Sequence, residues 1–138
     1  MTQPPLSGET DLARILSTLA PFRRPAEYVF VTRPMVEYPG ADALIREDEG
    51  VTHVVTRDVA DELDWPYDFI AAWITLRVHS SLAAVGLTAA ASRALADAGI
   101  SCNLLAGYFH DHLLVPFDQA DDAVAALAAL ASPAPHGG

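Results

Sequence analysis

The chain contains no lysine. Schiff-base chemistry, covalent attachment of pyridoxal phosphate and a Walker-type phosphate loop all require that amine, so all three are excluded. It contains one cysteine, Cys102, so no intramolecular disulfide can form; the expected compartment is a reducing one, the cytoplasm. No apolar run approaches the ~18 to 20 residues that a bilayer span requires. The opening "MTQPPLSGET" has neither a basic cluster nor an apolar core, and no secretion or transit signal is expected there. Positive charge is scarce: eight arginines face 18 acidic residues, a formal net charge of -10. Affinity for phosphate backbones depends on basic side chains that displace counterions, so neither nucleic acid nor a membrane surface is expected as a partner.

What is present is a 138-residue chain that is 51% apolar, enough for one compact domain or for two small halves sharing a core. Leu12, Ile15, Leu16 and Leu19 recur at helical spacing behind Thr10, an expected N-cap, and Pro21 is expected to stop that helix. "EYVFVT" at 27 to 32 reads as a buried strand. "ALIREDEGVTHVVT" reads as two strands joined by a three-residue loop, Asp48-Glu49-Gly50, and "RDVADELDW" as a short acidic helix. In "AAWITLRVH" Ile74, Leu76 and Val78 alternate with Trp73, Thr75, Arg77 and His79, which predicts a strand whose first set faces helices.

A second helix follows, carrying Leu87, Ala91, Leu95 and Ala98 on one stripe and ending at Gly99, with Ile100 folding back towards Leu95. "SCNLLAGYF" is then a strand, "HLLVP" its return, and Asp118 is expected to cap a last helix that packs Ala120, Val124, Leu127 and Ala131. The tail "SPAPHGG" is expected to be disordered. "HVVTRDVADEL" at 53 to 63 lines up with "LLVPFDQADDA" at 113 to 123, which points to an internal duplication; any strand feeding an Asp-capped helix would look similar. The order strand, helix, strand, strand, helix from residue 73, completed by one strand of the first half, predicts an α+β fold of the ferredoxin-like βαββαβ type, with an antiparallel sheet and helices on one face.

The stretch "WITLRVHSSLAAVGLTAAASRALADAGISCNLLAGYFHDHLLVP" resembles the small bacterial ACT-domain proteins, and the likeness extends over most of residues 25 to 131. The resemblance implies a tandem: a tail and short helix at 1–25, a degenerate ACT-like half at 26–70, an ACT domain at 71–132 and a tail at 133–138. It also implies regulatory sensing of an amino acid, pairing into a homodimer, and a ligand held where the loop between first strand and first helix meets a neighbouring domain. "AVG" stands here where the family more usually has Pro-Gly, and the loop is longer.

The residues support the same place on physical grounds. A helix N-terminus exposes unpaired N–H groups and carries roughly half a positive charge, so it favours a carboxylate. The candidate ligand-binding residues are Ser80, Ser81, Val85, Gly86, Leu87 and Thr88, with Asn103 offering a carbonyl oxygen towards an ammonium group. Each has a plainer reading: Ser81 as an N-cap, Gly86 as a close-packing position, Asn103 as a satisfier of local backbone. His110, Asp111 and His112, with His79, could suggest a metal or acid-base site, but two strand ligands and an unplaced third are a weak signal, and a hairpin turn in which Asp111 accepts backbone hydrogen bonds is the preferred reading. Trp73, Tyr108 and Phe109 read as core or dimer contacts. No catalytic residue, metal or cofactor is expected, since no nucleophile has a matched base. The alternatives are a structural dimerisation module without ligand and, less favoured, a ferredoxin-like hydrolase of the acylphosphatase type, for which the phosphate-loop arginine is missing between Arg77 and Arg93. An RNA-binding sheet would want basic strands that this chain lacks.

Overall fold

The computed structural model describes residues 8–77 and 86–131. The elements run α1 (Gly8–Ser17), β1 (Ala20–Arg23), β2 (Tyr28–Arg33), β3 (Ala43–Glu47), β4 (Gly50–Thr56), α2 (Arg57–Glu62), β5 (Ile70–Arg77), α3 (Leu87–Asp97), β6 (Asn103–Ala106), β7 (Asp111–Pro116) and α4 (Ala120–Ala128). All described strand pairs are antiparallel and form one seven-stranded sheet in the order β3-β4-β2-β5-β7-β6, with β1 beside β5. The fold is therefore the expected ferredoxin-like α+β type.

The order has an internal symmetry. β2, β3, β4 and α2 repeat as β5, β6, β7 and α4, and the two sets meet back to back where Tyr28 pairs Ala71 and Val29 pairs Ile70. The duplication read between 53–63 and 113–123 therefore has a structural counterpart: a strand runs directly into a helical segment at both places, and the matched alanines Ala60 and Ala120 are both buried. The first half has a loop, 34–42, where the second has α3. That substitution explains a polar residue in the core. His53, matched to the buried Leu113, donates from Nδ1–H to the Val51 carbonyl at 3.0 Å and accepts at Nε2 the loop's Tyr38 N–H at 2.9 Å. A helix would have offered an apolar side chain there; the loop offers a backbone donor that must be paired.

Alternation along the strands sorts the sheet into two faces. One face carries Ala72, Ile74, Leu76, Leu113 and Val115 against α1, α3 and α4, and further along, Val29, Val31 and Val55 against α2. The other, without helices among the described residues, carries Tyr28, Val54, Trp73 and Leu114. Ile74 and Leu76 thus face the helices, as the alternation predicts. α3 ends as expected: Gly99 N–H bonds Ala96 C=O and Ile100 N–H bonds Leu95 C=O, both at 2.9 Å, the two bonds of a Schellman ending.

Four local expectations are corrected. Pro21 does not merely stop α1; it lies inside β1, paired with Leu76, because β1 has only β5 as a neighbour and a missing N–H on the open edge costs no ladder bond. α1 begins at Gly8, so Thr10 is inside the helix and not its cap. The β3–β4 turn contains only Asp48 and Glu49, since Gly50 already pairs Glu47. Asp118 sits in a short 3-10 segment, Phe117–Gln119, and caps nothing; the buried stripe of α4 is Ala120, Ala123 and Leu127, with Val124 half-buried. The C-terminal tail lies outside the described residues.

Candidate functional site

Ser80, Ser81 and Val85, with His79, lie outside the described residues. Gly86 opens α3 in the left-handed region, at φ 97°, and as the N-cap residue it has no side chain with which to cap the helix. A Cβ on Gly86 would stand 3.0 Å from Leu12 Cδ2 of α1, so the glycine serves both the turn and the close approach of the two helices. Leu87 is buried in the core with Ala91 and Leu95, which fixes the direction in which the helix starts. Its backbone N–H, rather than its side chain, is what it could offer a ligand. Thr88 is exposed one position further on, where its hydroxyl and N–H both belong to the first turn.

Asn103 is placed differently. It is exposed at the start of β6 and pairs with Leu114, whose side chain belongs to the helix-free face, whereas its neighbour Leu104 pairs with Leu113 and packs against the core on the helix side. Directly opposed residues of an antiparallel pair share a face. Gly86, Leu87 and Thr88 are thus brought together by α3, and Asn103 is turned to the far side of the sheet from them. The period of two across Asn103-Leu104-Leu105 carried that information in the sequence.

The helix-free face holds a polar cluster that the sequence did not single out. The Trp73 indole Nε1–H lies 3.2 Å from both Thr75 Oγ1 and His112 Nδ1, and Thr75 Oγ1 is 2.9 Å from the same imidazole nitrogen. An indole can only donate, so Nδ1 of His112 is an acceptor. Above the indole, 4.0 Å from its ring centroid, lies the Arg24 guanidinium, which also bonds Asp42 at 3.1 Å. Burial pushes the His112 imidazole below the usual histidine range, the Arg24 charge and His110 push the same way, and Asp111 opposes them. The hairpin carrying His110 is closed by Gly107 N–H on the His110 carbonyl at 2.9 Å, not by the Asp111 side chain, because Asp111 is already in β7 opposite Ala106. No group of three metal-capable side chains occurs among the described residues. Trp73 is core, while Tyr108 and Phe109 are exposed at the hairpin tip, edge to face at 4.9 Å.

Two halves of one sheet, each a variation on the same ferredoxin-like unit, with a glycine-opened helix start beside the central strand, define the class: a paired α+β domain of the ferredoxin-like type. The chain belongs to the ACT-domain family. Two ACT-domain models match it, one over residues 7–72 and the other over 69–129. A Vibrio cholerae protein of unknown function, described as a possible transport protein, has a similar structure at 37% identity, covering 91% of this chain and 100% of that one with a TM-score of 0.83. The regulatory subunit of aspartate kinase from Thermus thermophilus shares the fold at 12% identity, covering 80% of this chain and 95% of that one with a TM-score of 0.59. An Agrobacterium tumefaciens protein shares it at 16% identity, covering 87% and 98% with a TM-score of 0.64. No curated protein matches the chain.

Proposed function

We propose that this protein is a non-catalytic sensor of an amino acid, acting as a cytoplasmic homodimer, and that the ligand's carboxylate is held by Ser80, Ser81, Val85, Gly86, Leu87 and Thr88. The observation that carries this reading is the start of α3: a left-handed glycine at the N-cap, which has no side chain of its own to cap the helix, and Thr88 exposed in the first turn. ACT-domain models over both halves support a regulatory role. Asn103 is left out of the proposed set, because it stands on the opposite face of the sheet from α3. The division proposed for the chain is 26–70 and 71–132, the two halves of the repeat.

The test is a thermal-shift screen over the common amino acids. A ligand at ~100 times its dissociation constant stabilises by ~2.7 kcal/mol, several degrees for a chain of this size. Thr88→Glu is the diagnostic variant: a carboxylate in the first turn suits the helix dipole, so the fold persists, while a ligand carboxylate is repelled. Screening in which no amino acid moves the melting curve defeats the sensor reading; a shift that survives Thr88→Glu places the ligand elsewhere.

A further inference from the structure

We propose that α1 is a detachable strap that sets the start of α3, so that docking of α1 and binding of an amino acid at that start promote one another. The link to the amino acid rests on the ligand site proposed above; the link between the two helices does not. α1 belongs to neither copy of the repeat, β2-β3-β4-α2 or β5-β6-β7-α4. It lies against α3 and against the 3-10 turn Ala129–Ala131 that prolongs α4. Its hold on the molecule is apolar: Ile15 and Leu16 pack into the helix-side core, as does Leu19 just past its end, and Leu12 packs on Gly86. Among the described residues no ion pair and no hydrogen bond ties it to another element, and the Ser17 and Thr18 hydroxyls turn back onto the Arg14 and Ile15 carbonyls at 2.6 and 2.8 Å.

A helix of ten residues does not sustain itself in water, so α1 is helical only while docked. A few apolar side chains set against the ordering of a whole segment leave a small balance. β1, by contrast, is held by its pairing with β5 and by the Arg23–Asp121 ion pair at 2.8 Å, so α1 can release at the exposed Ser17 and Thr18 without opening the sheet. Gly86 is where release is felt. Without a Cβ it can turn through a wide range of backbone angles, and its conformation aims the first amides of α3. Leu87 anchors the next residue in the core, and Leu12, with Cδ2 3.0 Å from the place a Cβ would occupy, is what limits Gly86 itself. The Gly86 carbonyl accepts the Ala90 N–H at 2.9 Å, closing the first turn of the helix. With α1 released, the glycine regains its freedom and that turn frays; a carboxylate must then order it at its own cost. With the turn ordered by a bound carboxylate, Leu12 regains its seat, and linkage makes the two effects equal.

The experiment is amide hydrogen exchange on the full chain, parent and Ala13→Gly. Ala13 is exposed on α1, so glycine there lowers the helix propensity of α1 and leaves its packed side chains in place. Expected is about fivefold faster exchange of the α1 amides and, by the same factor, of the Ala90 N–H, while the Leu63 N–H at the end of α2, bonded to the Val59 carbonyl at 3.0 Å, is unchanged. Leu12→Ala, which removes the seat itself, should also speed Ala90 without Leu63. A mixture of the twenty common amino acids, added to the parent, should slow α1 and Ala90 together. Ala90 exchange unmoved in both variants, or moved only in step with Leu63 as in global unfolding, overturns the strap. Protection of Ala90 by the mixture without protection of α1 overturns the coupling and keeps the ligand site. Protection of neither, with both variants behaving as expected, defeats the ligand site and leaves the strap standing.

Discussion

His112 stands where proton binding and packing are coupled. Its Nδ1 accepts from the Trp73–Thr75 pair, and burial together with the Arg24 charge disfavours the imidazolium, so its folded-state pKa lies below the ordinary value of 6.5. The unfolded chain, where the group is unperturbed, takes the proton first as pH falls. The contribution to stability is therefore complete above the ordinary histidine value and is lost as pH drops from there towards the lowered folded value. Urea midpoints measured across this window should decline for the parent and decline less for His112→Gln, which keeps a polar side chain without the titration. Parallel profiles would show that His112 protonates equally in both states. None of this was visible in the sequence, which placed Thr75 and Trp73 on one side of a strand but could not show which residue of the distant "HDH" run would lie against them.

At the scale of elements, α3 shows what sequence can and cannot specify. It lies between two glycines in the left-handed region, Gly86 at φ 97° and Gly99 at φ 74°, but with different surroundings. A Cβ at Gly99 meets nothing within 4 Å, whereas one at Gly86 meets Leu12. Gly99→Ala should thus cost only the left-handed penalty, ~1 to 2 kcal/mol, and Gly86→Ala should cost more, the excess shrinking when Leu12 is also truncated. Denaturant midpoints of the three variants decide it; equal costs would mean that Leu12 yields freely. The Schellman ending was legible because glycine, apolar spacing and Ile100 all agree locally. β1 was not, because its four residues contain a proline and gain their place only from the open edge of β5. The caps assigned to Thr10 and Asp118 failed for a related reason: a capping residue type is common, and the element boundary that would make it a cap is set by tertiary packing. Alternation correctly divided β5 between helix-facing and helix-free sides. The same rule applied to β6 separates Asn103 from α3.

At the scale of the molecule, the two halves share one sheet and one seam. β2 and β5 pair through Tyr28 and Ala71, and Tyr28 packs at 5.3 Å on Trp73, a residue of the other half, beneath Arg24. If that seam couples the halves, damage to one must be felt in the other. Trp73→Ala provides the measurement, because truncating a buried tryptophan costs ~3 to 5 kcal/mol and leaves Trp65 as the sole tryptophan, seated among Tyr38, Val29 and Val55 of the unmutated half. In a single cooperative unit, Trp65 fluorescence and far-UV circular dichroism fall together at one lowered midpoint. Two independent halves would instead leave the Trp65 transition where Trp73→Phe leaves it, while the dichroism splits into two steps. The first outcome is expected: β5 contributes one strand to the helix-packed core and also pairs with β2, so it cannot leave the sheet without opening both.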